Sequence, residues 1–203
     1  MTQGPTLTGG SERRREAAIA GHVGDAVTAR RLLHDDDPAV RAAALGAVER
    51  LGAVRPDDIA SALVDPDPAV RRRGAVVAAR HGGEVAHAVL ALLDDGDASV
   101  VEAACFALGE CEAPVTGAVE RLSRVARSHA DPLCRESAVA ALGAIGEPAG
   151  LAAILACCED RATVRRRAVL ALAPFDGPEV EAALERAARD RDWQVRQAAE
   201  DLL

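Results

Sequence analysis

Five cysteines, Cys105, Cys111, Cys134, Cys157 and Cys158, fall in one stretch of the 203-residue chain, and five histidines, His22, His34, His81, His87 and His129, are scattered along it. Thiolates and imidazoles bind transition metals, and paired thiols do redox chemistry. Neither chemistry has its usual spacing here. There is no CxxC, no two histidines stand four apart where one helix face would present both, and no histidine is followed by Glu. No Gly-rich phosphate loop and no Ser nucleophile motif can be placed. Lys, Asn and Tyr are absent and all 24 basic residues are Arg, which removes a Schiff-base Lys and a Tyr acid. We therefore expect no catalytic residue, no metal and no cofactor, and thiols that stay reduced.

Positive charge is concentrated in the triplets Arg71-Arg72-Arg73 and Arg165-Arg166-Arg167, but the formal net charge is -8. That balance argues against a nonspecific nucleic-acid binder. No apolar run reaches membrane-spanning length, and no charged-then-apolar leader opens the sequence. A cytoplasmic protein without a membrane partner is expected.

What must position these residues is a recurring five-residue phrase. It reads Asp37-Pro38-Ala39-Val40-Arg41, Asp67-Pro68-Ala69-Val70-Arg71, Asp97-Ala98-Ser99-Val100-Val101, Asp131-Pro132-Leu133-Cys134-Arg135, Arg161-Ala162-Thr163-Val164-Arg165 and Asp192-Trp193-Gln194-Val195-Arg196. The fourth residue stands at 40, 70, 100, 134, 164 and 195, a period that belongs to stacked supersecondary units. Counting from it, apolar or small residues return at plus four, plus eight and plus eleven, as in Val40, Ala44, Val48 and Leu51. Those offsets share one helix face. The Asp is an N-cap, the Pro suits the first turn, and Gly52, Gly82 and Gly146 are helix stops. A second apolar segment precedes each phrase, so each repeat is a helical hairpin that must stack on its neighbours to bury its core.

The phrase resembles the HEAT repeat, in particular the short bacterial form of the bilin-lyase-like group. The resemblance implies an all-α, right-handed solenoid of about six stacked hairpins. It also implies a ladder between repeats, joining an Arg of the second helix to a turn carboxylate. Here the Arg positions hold Arg41, Arg71, Val101, Arg135, Arg165 and Arg196, and the turn positions hold Asp35, Asp65, Asp95, His129, Glu159 and Asp190. The ladder should break at Val101 and His129, between repeats three and four, where four extra residues also fall and where a change in curvature is expected. Residues 1–10 read as a disordered tail ahead of a single domain over 11–203, with a capping helix over 11–21 whose Arg13, Arg14 and Arg15 face water. Trp193, in the last phrase, is expected to cover the open C-terminal end, and that end also offers a weak homodimer contact.

Four of the cysteines occupy apolar register positions and read as small core residues, which leaves Cys158 as the candidate exposed thiol. At plus six and plus nine the second helices carry Val76, Phe106, Gly109, Ala140, Gly143 and Leu170 where a solvated face would carry charge. This strip should line the concave groove, with Phe106 as anchor and the two glycines leaving room for a partner backbone. Arg72, Arg73, Glu102, Glu136, Arg166 and Arg167 would orient the bound segment, in a basic, acidic, acidic, basic order. The preferred expectation is a non-enzymatic scaffold that binds another protein's helix or peptide. Two alternatives follow from the resemblance. One is a subunit of a bilin-lyase-like enzyme or of a HEAT-type hydroxylase. The deoxyhypusine hydroxylases, which are similar in architecture, hold di-iron through His-Glu pairs that this sequence lacks. The other is nucleic-acid binding through the Arg clusters.

Overall fold

The structure, a computed structural model, describes residues 9–81, 84–113 and 115–203. Among these residues there are thirteen α-helices and no strand. α1 (Gly9–Val23) is followed by six hairpins: α2 (Ala26–Leu32) with α3 (Pro38–Arg50), α4 (Pro56–Leu63) with α5 (Pro68–Ala78), and α6 (Glu84–Ala91) with α7 (Ala98–Gly109). Then come α8 (Ala118–Ser128) with α9 (Pro132–Ile145), α10 (Leu151–Cys157) with α11 (Ala162–Ala171), and α12 (Pro178–Ala187) with α13 (Trp193–Glu200). The expected all-α solenoid of six hairpins is the observed fold. Of the segment read as a tail, residues 1–8 lie outside the described residues, while Gly9 and Gly10 already belong to α1.

Each phrase starts a second helix for the reasons its residues suggest. The carboxylates of Asp37, Asp67, Asp97, Asp131 and Asp192 accept the amide two residues on at 2.8–2.9 Å, a cap worth about 1 kcal/mol. Gly146 ends α9 with φ +66° and Gly52 follows α3 with φ +63°, a backbone conformation that strains any residue with a Cβ. Gly82 lies outside the described residues. The four extra residues of repeat four are absorbed by α8, which starts at Ala118, behind Gly117 at φ +83°, and runs on to Ser128.

The key residues Val40, Val70, Val100, Cys134, Val164 and Val195 are all buried, as are the plus-eight residues Val48, Ala78, Leu108, Leu142 and Leu172. The second helices α3 to α13 pack on one another in unbroken succession, beginning from α1, whereas the first helices touch each other sparingly. The closer-packed layer is the inner, concave one, which puts the plus-six strip on the concave surface.

The ladder is present and wider than expected. Arg41 donates to Asp65 through Nε (2.8 Å) and Nη2 (2.7 Å), and its Nη1 caps the carbonyls of Asp35 and Asp36 in its own turn. Arg71 meets Asp95, and Arg165 meets Asp190, in the same bidentate way. Arg135 pairs with Asp160, not with Glu159 as the register suggested. Arg13, though partly exposed, also reaches Asp35 at 2.7 and 3.0 Å, so α1 enters the ladder as a second helix would. At the expected break, Val101 is fully buried. His129 replaces the missing carboxylate locally, its Nδ1 accepting the Asp131 amide at 3.1 Å as Asp35 accepts that of Asp37 at 2.9 Å.

Arginine hydrogen bonds hold Asp35, Asp95, Asp160 and Asp190 below the ordinary carboxylate range. At Asp65 the largest influence is burial, which acts upward, yet Arg41 and the Asp67 amide together leave it lowered as well. Trp193 does not cover the C-terminal end. It is 65% exposed as the first residue of α13, at the register of Pro38, Pro68 and Pro132, where a side chain projects away from the stack.

Candidate functional site

The concave strip opens into two adjoining clefts in repeats three to five. The first, about 340 Å³, lies between α7 and α9 and is lined by Glu102, Phe106 and Glu110 on one side and Leu133, Glu136 and Ala140 on the other. The second, about 490 Å³, lies between α9 and α11 and takes in Gly143, Leu170 and Pro174. Ala140, Ala144 and Arg167 belong to both, so the two form one continuous depression. Phe106 is 50% exposed, a large apolar surface to leave open to water. Ala140 and Leu170 are half-buried, so curvature shelters the strip without closing over it. Val76, half-buried on α5, packs against the core and, like Arg72, Arg73 and Arg166, lines neither cleft.

The glycines serve a different purpose from the one expected. A Cβ on Gly109 would stand 2.9 Å from the Ala141 Cα, and one on Gly143 would stand 2.7 Å from the Ala171 Cβ and 2.8 Å from its Cα. Gly21 against Ala47 makes the same contact at 2.8 Å. The plus-nine position therefore faces the next second helix, and its glycines allow two helix backbones of this chain to meet. They do not leave room for a partner.

The charges are also partly spent internally. Arg167 pairs with Glu136 at 3.5 Å, and the Arg73 guanidinium lies over Gly46, 3.6 Å from where a Cβ would be. Both are plus-three residues leaning back toward the preceding helix. Arg72 and Arg166 remain exposed. Among the described residues neither Glu102 nor Glu110 has a cationic partner, which leaves the Phe106 cleft acidic. Leu133 and Glu110 were not foreseen. Leu133 is 57% exposed, and the signal was present: its register holds Ala39, Ala69, Ser99, Thr163 and Gln194 elsewhere, so a Leu there stands out. Glu110 follows the last residue of α7, beyond the offsets that define the helix face.

All five cysteines are free thiols. Cys105, Cys134 and Cys157 are buried core residues, as expected. Cys158 is not exposed: it is half-buried, its Sγ 3.6 Å from the Ile154 carbonyl, and burial pushes its thiol up to about 12. Since the thiolate is the nucleophile, the native protein at pH 8 is expected to show no rapidly reacting thiol toward a chromogenic disulfide reagent, and five once denatured. A full equivalent reacting at once in the native state would contradict this. Among the described residues no group of three or more His, Cys, Asp or Glu converges as a metal site requires, and no helix is long and apolar enough to cross a membrane.

With this geometry in hand, comparison with known proteins is specific about the fold. A family profile of HEAT repeats matches residues 85–173, the segment that carries the Phe106 cleft. That segment of the chain carries HEAT repeats. An engineered protein of known structure superposes on 88% of this chain and 95% of its own length, at 19% identity and a TM-score of 0.66. Human deoxyhypusine hydroxylase, solved with glycerol, matches over 82% of this chain and 68% of its own, at 24% identity and a TM-score of 0.52. Computationally designed armadillo repeat proteins for modular peptide recognition match over 94% and 90%, at 20% identity and a TM-score of 0.50. No functionally curated protein matches the chain. At these identities the likenesses are ones of fold.

Proposed function

We propose that this protein is a non-enzymatic binding scaffold whose concave depression in repeats three to five holds a segment of another protein. The observation that carries this reading is Phe106, half-exposed in the floor of a continuous cleft, with Leu133 exposed beside it and Ala140 and Leu170 extending the apolar surface. Aromatic and aliphatic side chains left open in a concavity and rimmed by charge are the usual anchors of peptide recognition. The peptide recognition for which the armadillo repeat proteins were designed gives a precedent for this use of a helical solenoid. The partner in this reading is a protein met in the cytoplasm, and the Trp193 end is a secondary contact surface.

The test is a photo-crosslinking amino acid at Ala140, in the wild type and in Phe106→Asp, used in lysate of the native host. A discrete crosslinked protein that disappears with Phe106→Asp while helicity is unchanged is the expected result. The same crosslinked species from both, or none from the wild type, would overturn the groove as the site.

A further inference from the structure

The Phe106 cleft carries a charge pattern with a definite spacing, and this leads to the chemistry of its occupant; the inference rests on the groove reading above. Glu102 and Phe106 on α7, and Glu110 at its C-cap, stand four residues apart, all three exposed. Four residues of helix rise about 6 Å, so the backbone positions of the two glutamates are about 12 Å apart along the axis with that of Phe106 midway. Across the cleft Glu136 is already engaged by Arg167 at 3.5 Å, while Glu102 and Glu110 have no cation among the described residues. The site therefore presents an aromatic face between two unneutralised carboxylates, in a protein of net charge -8.

An extended peptide places alternate side chains on the same side about 7 Å apart, so residues i, i+2 and i+4 span about 13 Å. We infer that the cleft between α7 and α9 binds an extended segment of the form basic-x-apolar-x-basic, whose central side chain packs on Phe106 and Leu133 and whose two cations meet Glu102 and Glu110. Arginine is favoured at the basic positions because its planar, weakly hydrated guanidinium both forks onto a carboxylate and stacks beside a ring.

The probe is a displayed library of random twelve-residue peptides, selected on the immobilised full chain and counter-selected on Phe106→Asp. Peptides with two basic residues four apart flanking an apolar one are expected to dominate. Replacing either peptide Arg by Ala should weaken binding by roughly five- to tenfold, since a partly desolvated ion pair contributes about 1 kcal/mol. Glu102→Lys/Glu110→Lys alters only exposed residues, so its circular dichroism should match the wild type; it should lose these peptides and select acidic-x-apolar-x-acidic ones instead. Peptides that need Phe106 but carry no basic pair, and that bind the charge-reversed variant equally well, would overturn this inference and leave the groove reading intact. Peptides that bind Phe106→Asp as well as wild type, or no enrichment at all, would overturn both.

Discussion

Arg165→Met is expected to lower the free energy of unfolding by about 3 kcal/mol, measurable by urea denaturation with the slope unchanged. Arg165 is the most buried rung of the ladder. Its side chain is 8% exposed and that of Asp190 15%, and it makes two bonds to Asp190, at 2.8 and 2.7 Å, and one to the Asp160 carbonyl at 2.8 Å. Met retains most of the stem packing, so the loss reports the unpaired Asp190 carboxylate and the uncapped turn. The effect has a pH signature with a definite sign. Asp190 is held below the ordinary carboxylate range, chiefly by its hydrogen bond to Arg165. The stability it contributes is therefore fully present above about pH 4, where an unfolded Asp is ionised, and is lost as pH falls through the lowered folded value. The difference between wild type and Arg165→Met should shrink correspondingly below pH 4. A gap that persists unchanged in acid would mean that packing, not the ion pair, carries the effect.

Gly143→Ala is expected to destabilise the protein by about 2 kcal/mol, the reverse of what helix propensity alone dictates. In an open helix interior the change stabilises by up to about 1 kcal/mol. At Gly143 the new methyl would stand 2.7–2.8 Å from the Ala171 Cβ and Cα, and backbone cannot move aside as a side chain can, so α9 and α11 must separate. Gly46→Ala is the internal control. Its Cβ would meet only the mobile end of Arg73 at 3.6 Å or more, so there the propensity gain should appear as a higher melting temperature. If both substitutions stabilise, the close approach of the second helices is not the constraint described.

The phrase made the fold legible because each of its residues has a local task. Asp37 and its equivalents cap, Pro38 and its equivalents open the first turn, and Val40 and its equivalents are buried wherever they recur. Where the reading failed, the deciding contact was between repeats and therefore invisible to a within-repeat period. Gly109 and Gly143 sit on the strip but meet Ala141 and Ala171 of the next helix. Arg13 lies in no phrase, yet α1 stacks as a second helix and brings it to Asp35. Asp160, one residue nearer α11 than the register position Glu159, receives Arg135 of the preceding repeat. Of the site, Phe106, Ala140 and Leu170 followed from register alone. The neutralisation of Glu136 by Arg167, and hence which carboxylates remain free, depends on how a plus-three side chain leans across to the preceding helix.

The missing rung between repeats three and four governs how such a chain can be rearranged. Any repeat whose turn offers Asp backwards and whose second helix offers Arg forwards can be deleted without loss: removing repeat two would bring Arg41 to Asp95. Repeats three and four obey another rule. Losing three alone would set Arg71 against His129, which offers no carboxylate, and losing four alone would strand Asp160 beside the buried Val101. Losing both lets Arg71 meet Asp160 and the series closes. By this pairing rule the two hairpins can be removed only together, and the boundary between them is the one that holds Phe106.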